Sequence, residues 1–328
     1  MKRNILATAI AGMTTLSGSW AATAAEIEFH GDMDNRFQAY TNQRDWFSGG
    51  NSGGGTLKDD EPTESFGEVK YRFWAKATSD DKKVTGVFAT EIGGIRYGEG
   101  SGGDYSGDGV NIETRWAYVD FLVPNTLDQR VSLGLQPVSV NRHVWNETAT
   151  AAVWKGSLGS GFDYQLLWGR GDSSNESGVD SEQDEGWDGA DNFAINLNKR
   201  YSPNLSAGLF YLYQMNDQIA EGVGTVNSRE YELKSIADNS KYSVSSFGVE
   251  MDYDQETSLG RMFVKGTVIG QSGTIEGVNF VPLNGATNPN TNYDLSTFLG
   301  RGELGLQFGP NQLTYTVLYA SGDGNEQD

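Results

Sequence analysis

From Glu26 onward the chain alternates apolar and polar residues with a period of two, in segments of about ten residues. That spacing puts successive side chains on opposite faces of a β-strand. In the first segment Ile27, Phe29, Met33, Phe37 and Ala39 share one face, and His30, Asp32, Asp34, Arg36 and Gln38 share the other. The second sets Val69, Tyr71, Phe73 and Ala75 against Glu68, Lys70, Arg72, Trp74 and Lys76. An amphipathic helix would gather residues three and four apart, and neither face has that spacing. The same reading predicts further strands near 84–93, 110–123, 131–137, 149–157, 162–170, 192–199, 205–214, 242–253, 261–271, 294–308 and 313–321, thirteen in all.

The connections between these strands alternate in length. Short ones fall at 79–83, 124–130, 158–161, 200–204, 254–260 and 309–312; long ones fall between them at 42–64, 94–109, 138–148, 171–191, 215–241 and 272–293. Alternating short turns and long loops are the signature of an antiparallel up-and-down transmembrane β-barrel, with turns at the periplasmic end and loops outside. A sandwich or a propeller has no need of it. Aromatic residues agree with this reading. Phe162, Tyr164, Leu166 and Trp168 share one parity, Phe298 and Phe308 bracket Leu304 and Leu306, and Tyr211 and Tyr213 close another strand. Rings at the two ends of a strand are expected where it meets lipid headgroups.

Composition narrows the class. With 43 glycines, 7 prolines and 37% hydrophobic residues in 328, the chain is poor in material for a large globular core and rich in turn formers. Beyond the first 25 positions no run of 18 apolar residues occurs, which excludes a helical membrane protein and leaves a strand-spanning one open. The start, Met1-Lys2-Arg3 followed by an apolar stretch and then Ala21-Ala22-Thr23-Ala24-Ala25, reads as a signal peptide over 1–25, with a barrel domain over 26–328. Absence of cysteine leaves neither disulfides nor thiolate metal sites. A net charge of -20 disfavours nucleic acid. Much of the acid lies in Gly/Ser/Asp-rich stretches such as 172–191. The Asp/Gly clusters 104–109 and 184–191 lack the twelve-residue EF-hand spacing and read as solvated loops, and whether they take Ca²⁺ stays open. The glycine runs 49–55 and 100–103 precede no helix and are not phosphate cradles. No metal and no cofactor is expected.

The phrases Glu113-Thr-Arg-Trp-Ala-Tyr-Val-Asp-Phe121, Val131-Ser-Leu-Gly-Leu-Gln-Pro137 and Tyr319-Ala-Ser-Gly-Asp323 resemble recurring pieces of Gram-negative outer-membrane porin and alginate-export-like β-barrel channels. The resemblance supports a class and not a substrate. It implies an outer-membrane location, contact with lipid and lipopolysaccharide, and passage of small hydrophilic solutes or ions; a homotrimer stays open. Barrels of this class have even strand numbers and end on an aromatic residue, whereas this sequence ends Gly322-Asp-Gly-Asn-Glu-Gln-Asp328. The expectation is therefore of a C-terminally incomplete sequence whose parent carries 16 to 18 strands in all, with one miscounted strand as the alternative.

If the apolar parity faces lipid, the other parity lines a water-filled lumen. Its charged members are Asp32, Asp34, Arg36, Glu68, Lys70, Arg72, Lys76, Glu91, Glu250, Asp252, Lys265, Arg301 and Glu303. A lipid-facing Arg or Lys would cost about 2–4 kcal/mol at the midplane, so these residues need water or one another. In many porins the loop equivalent to 138–148 folds inward, and the resemblance makes Arg142 a candidate constriction residue. The chain is read as no enzyme, because no nucleophile motif stands near His30 or His143. Two other readings remain: a closed-lumen barrel with a structural, adhesion or partner-binding role, and a sleeve around an electron-transfer protein.

Overall fold

The structure is a computed structural model that describes residues 26–40, 64–98, 103, 110–170, 191–216, 225–227, 241–281 and 288–321. The expected signal peptide over 1–25, the cluster 104–109, the glycine run 49–55, residues 100–102 and the whole of 171–190 lie outside the described residues. Every described element is a strand: β1 (Glu26–Tyr40), β2 (Glu64–Thr78), β3 (Val84–Arg96), β4 (Ile112–Leu122), β5 (Arg130–Asn141), β6 (Trp145–Gly159), β7 (Phe162–Arg170), β8 (Asp191–Ser202), β9 (Leu205–Asn216), β10 (Thr225–Asn227), β11 (Lys241–Thr257), β12 (Gly260–Val281), β13 (Asn288–Phe308) and β14 (Asn311–Ala320). All thirteen predicted strands are present. The three-residue β10 is an addition, pairing in parallel with β12. The rest form one antiparallel up-and-down sheet in chain order. Among the described residues no ladder joins β1 to β14.

Register carries one parity around the whole sheet. Asp32 pairs with Arg72, Arg72 with Glu91, Ala89 with Trp116, and Tyr118 with Gly134. The run continues through Gly134 with Ala151, Gly169, Asn192 and Gln214, and then Val244, Gly273 and Leu295. This polar-rich parity is the concave side. The end of β5 reaches across it to non-neighbouring strands, with Gln165 Nε2 of β7 and Asn196 Nδ2 of β8 each donating to the Ser139 carbonyl at 3.5 Å. The convex side bears the apolar parity, and its large side chains stand in the open: Phe29, Met33, Phe37, Phe73, Leu209, Phe247, Val249, Tyr315 and Val317 are all exposed.

Strands run longer than the apolar runs that predict them, and one loop is overturned. The long connection expected at 138–148 is mostly strand: β5 continues to Asn141 and β6 begins at Trp145, leaving a three-residue turn, Arg142 to Val144. Val138 and Val140 keep the period of two but place apolar side chains on the concave face, where both are buried. The interval 272–293 is likewise largely strand, with β12 ending at Val281 and β13 beginning at Asn288. Polar alternation such as Gln271-Ser-Gly-Thr pairs as well as apolar alternation does, since the ladder is made by the backbone.

Two local features tie sequence to geometry. Gly134 sits within β5 at φ +123, and a Cβ there would lie 2.4 Å from the Ala117 carbonyl oxygen, so β4 and β5 approach over a residue that must lack a side chain. In the β2–β3 turn Asp81 accepts from Ser79 Oγ at 2.8 Å and from the Lys83 amide at 3.1 Å, bonds that draw its carboxyl down to about 2. Gly134→Ala is expected to lower the unfolding free energy by about 2 kcal/mol in denaturant titration of the refolded protein; an unchanged midpoint would contradict the close approach. Because the folded Asp81 value lies below the ordinary carboxylate value near 4, its contribution is present above about pH 4 and fades towards pH 2. The Lys83 amide resonance should follow that titration, with its midpoint near 2.

Candidate functional site

The concave face of β1 to β4 is a lattice of ion pairs. Charged residues two apart along a strand share a face, and the β1–β2 register sets acid opposite base. Arg36 faces Glu68, Asp34 faces Lys70, and Asp32 faces Arg72. Arg36 Nη2 donates to Glu68 at 2.7 Å, while its Nε lies 3.2 Å from Asp34. Lower on the wall Lys76 and His30 both reach Glu28, at 3.4 and 3.0 Å. His30 also stacks on Trp74, with ring centroids 5.5 Å apart.

Glu91 of β3 is the hub. Its carboxylate takes Arg72 Nε at 2.7 Å, Lys70 Nζ at 3.1 Å and Arg115 Nε at 3.5 Å, and only 8% of its side chain is exposed. Arg115 arrives there through a bulge. Ala89 pairs with Trp116 and Thr90 with Thr114, so Arg115 is an extra residue in β4. A bulge breaks the alternation and re-aims a side chain, and here it brings Arg115 to the same face as Trp116. Sequence reasoning missed Arg115 for this reason, since strict parity from Trp116 sends residue 115 outward.

Across the concave face a second group forms on β11, β12 and β13. Lys265 pairs in register with Asp252 and Glu303, its Nζ 3.7 Å from Asp252. Arg301 forms an ion pair with Glu303. The thirteen charged residues of the polar parity, Asp32, Asp34, Arg36, Glu68, Lys70, Arg72, Lys76, Glu91, Glu250, Asp252, Lys265, Arg301 and Glu303, fall on one face of the sheet. They divide into two groups rather than one ring.

Between the groups lies the β5–β6 hairpin tip. Asn141 closes its own turn, its Oδ1 accepting from the His143 amide at 2.8 Å, and its Nδ2 donates to Glu250 on β11. Val138 and Val140 pack with Ala151, Val153, Leu167, Ala194, Phe210, Leu212 and Ile269, with Val144, Trp145 and Leu299 against them. This apolar cluster fills the concave side of β6 to β9. Arg142 is exposed at the tip and makes no ion pair among the described residues. Alternation at 138–140 signals the arrangement: valines on the face that is polar elsewhere mark a strand leaving the wall. Asp191, expected within a solvated loop, instead begins β8 fully buried and accepts from Trp168 Nε1 at 2.8 Å.

No known protein-family model matches the chain, and no curated protein matches it. Among solved structures it is similar to one described as "Asymmetric conductivity of engineered proteins", at 11% identity over 89% of this chain and 94% of that one, with a TM-score of 0.37. It is also similar to OmpT, an outer membrane protein of Vibrio cholerae in its in-vitro folded trimer form, at 8% identity over 91% of this chain and 89% of that one, TM-score 0.41. At such scores neither likeness carries weight for activity or solute. The sequence reading of no enzyme is accordingly withdrawn. Similarity to OmpT at 8% identity transfers neither catalysis nor its absence, and the lack of a nucleophile motif near His30 or His143 does not by itself exclude catalysis.

Replacing Glu91 with glutamine leaves Arg72, Lys70 and Arg115 facing one another without their shared anion. Removing one partner from a buried charge cluster costs about 3 kcal/mol. Glu91→Gln should therefore lower the denaturation midpoint well beyond what Glu28→Gln does at the more exposed pair; equal shifts would show that the hub is solvated and structurally idle.

Proposed function

We propose that the chain is a passive diffusion channel of the Gram-negative outer membrane, passing small hydrophilic solutes or ions along its charged face. One observation carries this reading: the sheet exposes a continuous apolar face outward while its opposite face holds ion pairs of both signs. An exposed apolar surface of that extent is stable against lipid and not against water. The charged face needs water in turn, because charges transferred to a dry interior lose more solvation than pairing returns. A water-filled lumen within a lipid-bound wall meets both demands. Lipid and lipopolysaccharide are the outer partners on this reading, and export proceeds by the N-terminal signal sequence.

The hairpin tip is the proposed constriction, with Arg142 its exposed charge. A second reading, a closed-lumen barrel serving as a structural, adhesion or partner-binding protein, draws on the apolar cluster that fills the concave side of β6 to β9. Conductance separates the two.

In a planar bilayer under a KCl gradient, the refolded protein should give stable conductance steps. Arg142→Glu should move the reversal potential towards cation preference, because a charge at the narrowest section dominates the local potential. A folded barrel without conductance would retire the channel and favour the closed one. Conductance with an unmoved reversal potential would remove Arg142 from the constriction.

A further inference from the structure

A pocket of about 300 Å³ opens where the wall meets the hairpin, lined by Arg72, Arg115 and Trp116 on β2 and β4 and by Ser139, Asn146 and Glu147 on β5 and β6. That volume is at the small end of the range for ligand sites, about 300–1,000 Å³. Its chemistry is lopsided. Two guanidinium groups stand on one wall, and both meet Glu91 through Nε, at 2.7 and 3.5 Å. Arg72 Nη1 has a distant partner in Asp32 at 3.9 Å. The Nη atoms of Arg115 have no partner among the described residues. Both side chains keep over a third of their surface exposed, at 35% and 37%.

Beside them Trp116 is held edge-on to Trp74, ring centroids 5.5 Å apart at 64°, so its orientation is fixed before any ligand arrives. The bulge at Arg115 makes the site, because strict alternation would put a tryptophan and the preceding arginine on opposite faces.

We propose that this pocket is a binding subsite for small ring-bearing monocarboxylates. The planar guanidinium fork of Arg115, aided by Arg72, pairs with the carboxylate, a geometry that matches two parallel N–H···O bonds. The ligand ring lies on Trp116, whose flat apolar surface suits an aromatic ring or a sugar ring. Glu147 lines the facing wall. The subsite deepens the channel reading and rests on it, since the solute reaches the pocket through a water-filled lumen.

The test is equilibrium binding to the refolded full chain in detergent micelles by titration calorimetry. Benzoate and D-glucuronate represent the two ring types, with acetate and glucose as the ring-free and charge-free controls. At least one ring carboxylate should bind about tenfold more tightly than either control. Arg115→Gln should weaken it about tenfold, while Trp116→Leu should weaken it and leave acetate unchanged. Heat-modifiable migration verifies folding of each variant, and Glu91 keeps Arg72 and Lys70 when Arg115 is lost. If neither ring carboxylate binds better than the controls, or if Arg115→Gln binds as the parent does, the subsite is overturned. Binding in micelles needs no current: binding without conductance would keep the subsite and retire the channel, and conductance without binding would do the reverse.

Discussion

The fold depends on the backbone ladder of a single sheet whose two faces meet different surroundings. No second layer of helix or sheet covers the convex side of the described residues, so no core of the usual kind forms between layers. Each strand satisfies its N–H and C=O groups on its neighbours, and side chains are left to match whatever lies on each face. Register then becomes strict. A slip of one residue would turn Asp32, Arg72 and Glu91 outward together and bring Phe29, Phe73 and Phe88 inward.

The same ladder solves the problem of charge on the concave face. Antiparallel register places acid opposite base on β1 and β2, and each pair relieves the solvation cost of its members. Glu91 concentrates this effect, gathering cations from its own pairing partner Arg72, from the diagonal neighbour Lys70 and from the bulged Arg115. Ion pairs in contact with water are individually worth little, about 0–1 kcal/mol, so the lattice specifies register more than it adds stability. The buried hub is the exception, because among the described residues its three cations share no other anion at such short range.

Strand existence, order and parity were legible in the sequence because backbone pairing and a period of two suffice to produce them. Ile27, Phe29 and Met33 announce an outward face, and Glu68, Lys70 and Arg72 an inward one, with no tertiary knowledge required. Three features escaped for specific reasons. The hairpin tip was read as a long loop because Arg142, His143 and Asn146 interrupt the apolar run, whereas Val138 and Val140 continue the strand on the opposite parity. Arg115 escaped because one inserted residue reverses the facing of its neighbours, and a bulge is set by strand geometry rather than by composition. Asp191 escaped because its burial depends on Trp168 of β7, 23 residues away.

These three features together decide how the concave side is divided. Apolar residues of the hairpin fill it over β6 to β9, whereas β1 to β4 keep charged side chains facing the open space beside the tip. A permeation path on this plan is eccentric, passing between the tip and the ion-pair lattice. Selectivity along such a path follows local charge, since screening confines the influence of a charge to about 8–10 Å at physiological salt. The net charge of -20 belongs to the whole chain. Beside the pocket Lys70, Arg72 and Arg115 gather on Glu91, Asp32 stands 3.9 Å from Arg72, and Glu147 lines the facing wall, so charges of both signs meet there. On the proposed channel reading, local charge at this section, rather than the total over the chain, would set the sign of selectivity.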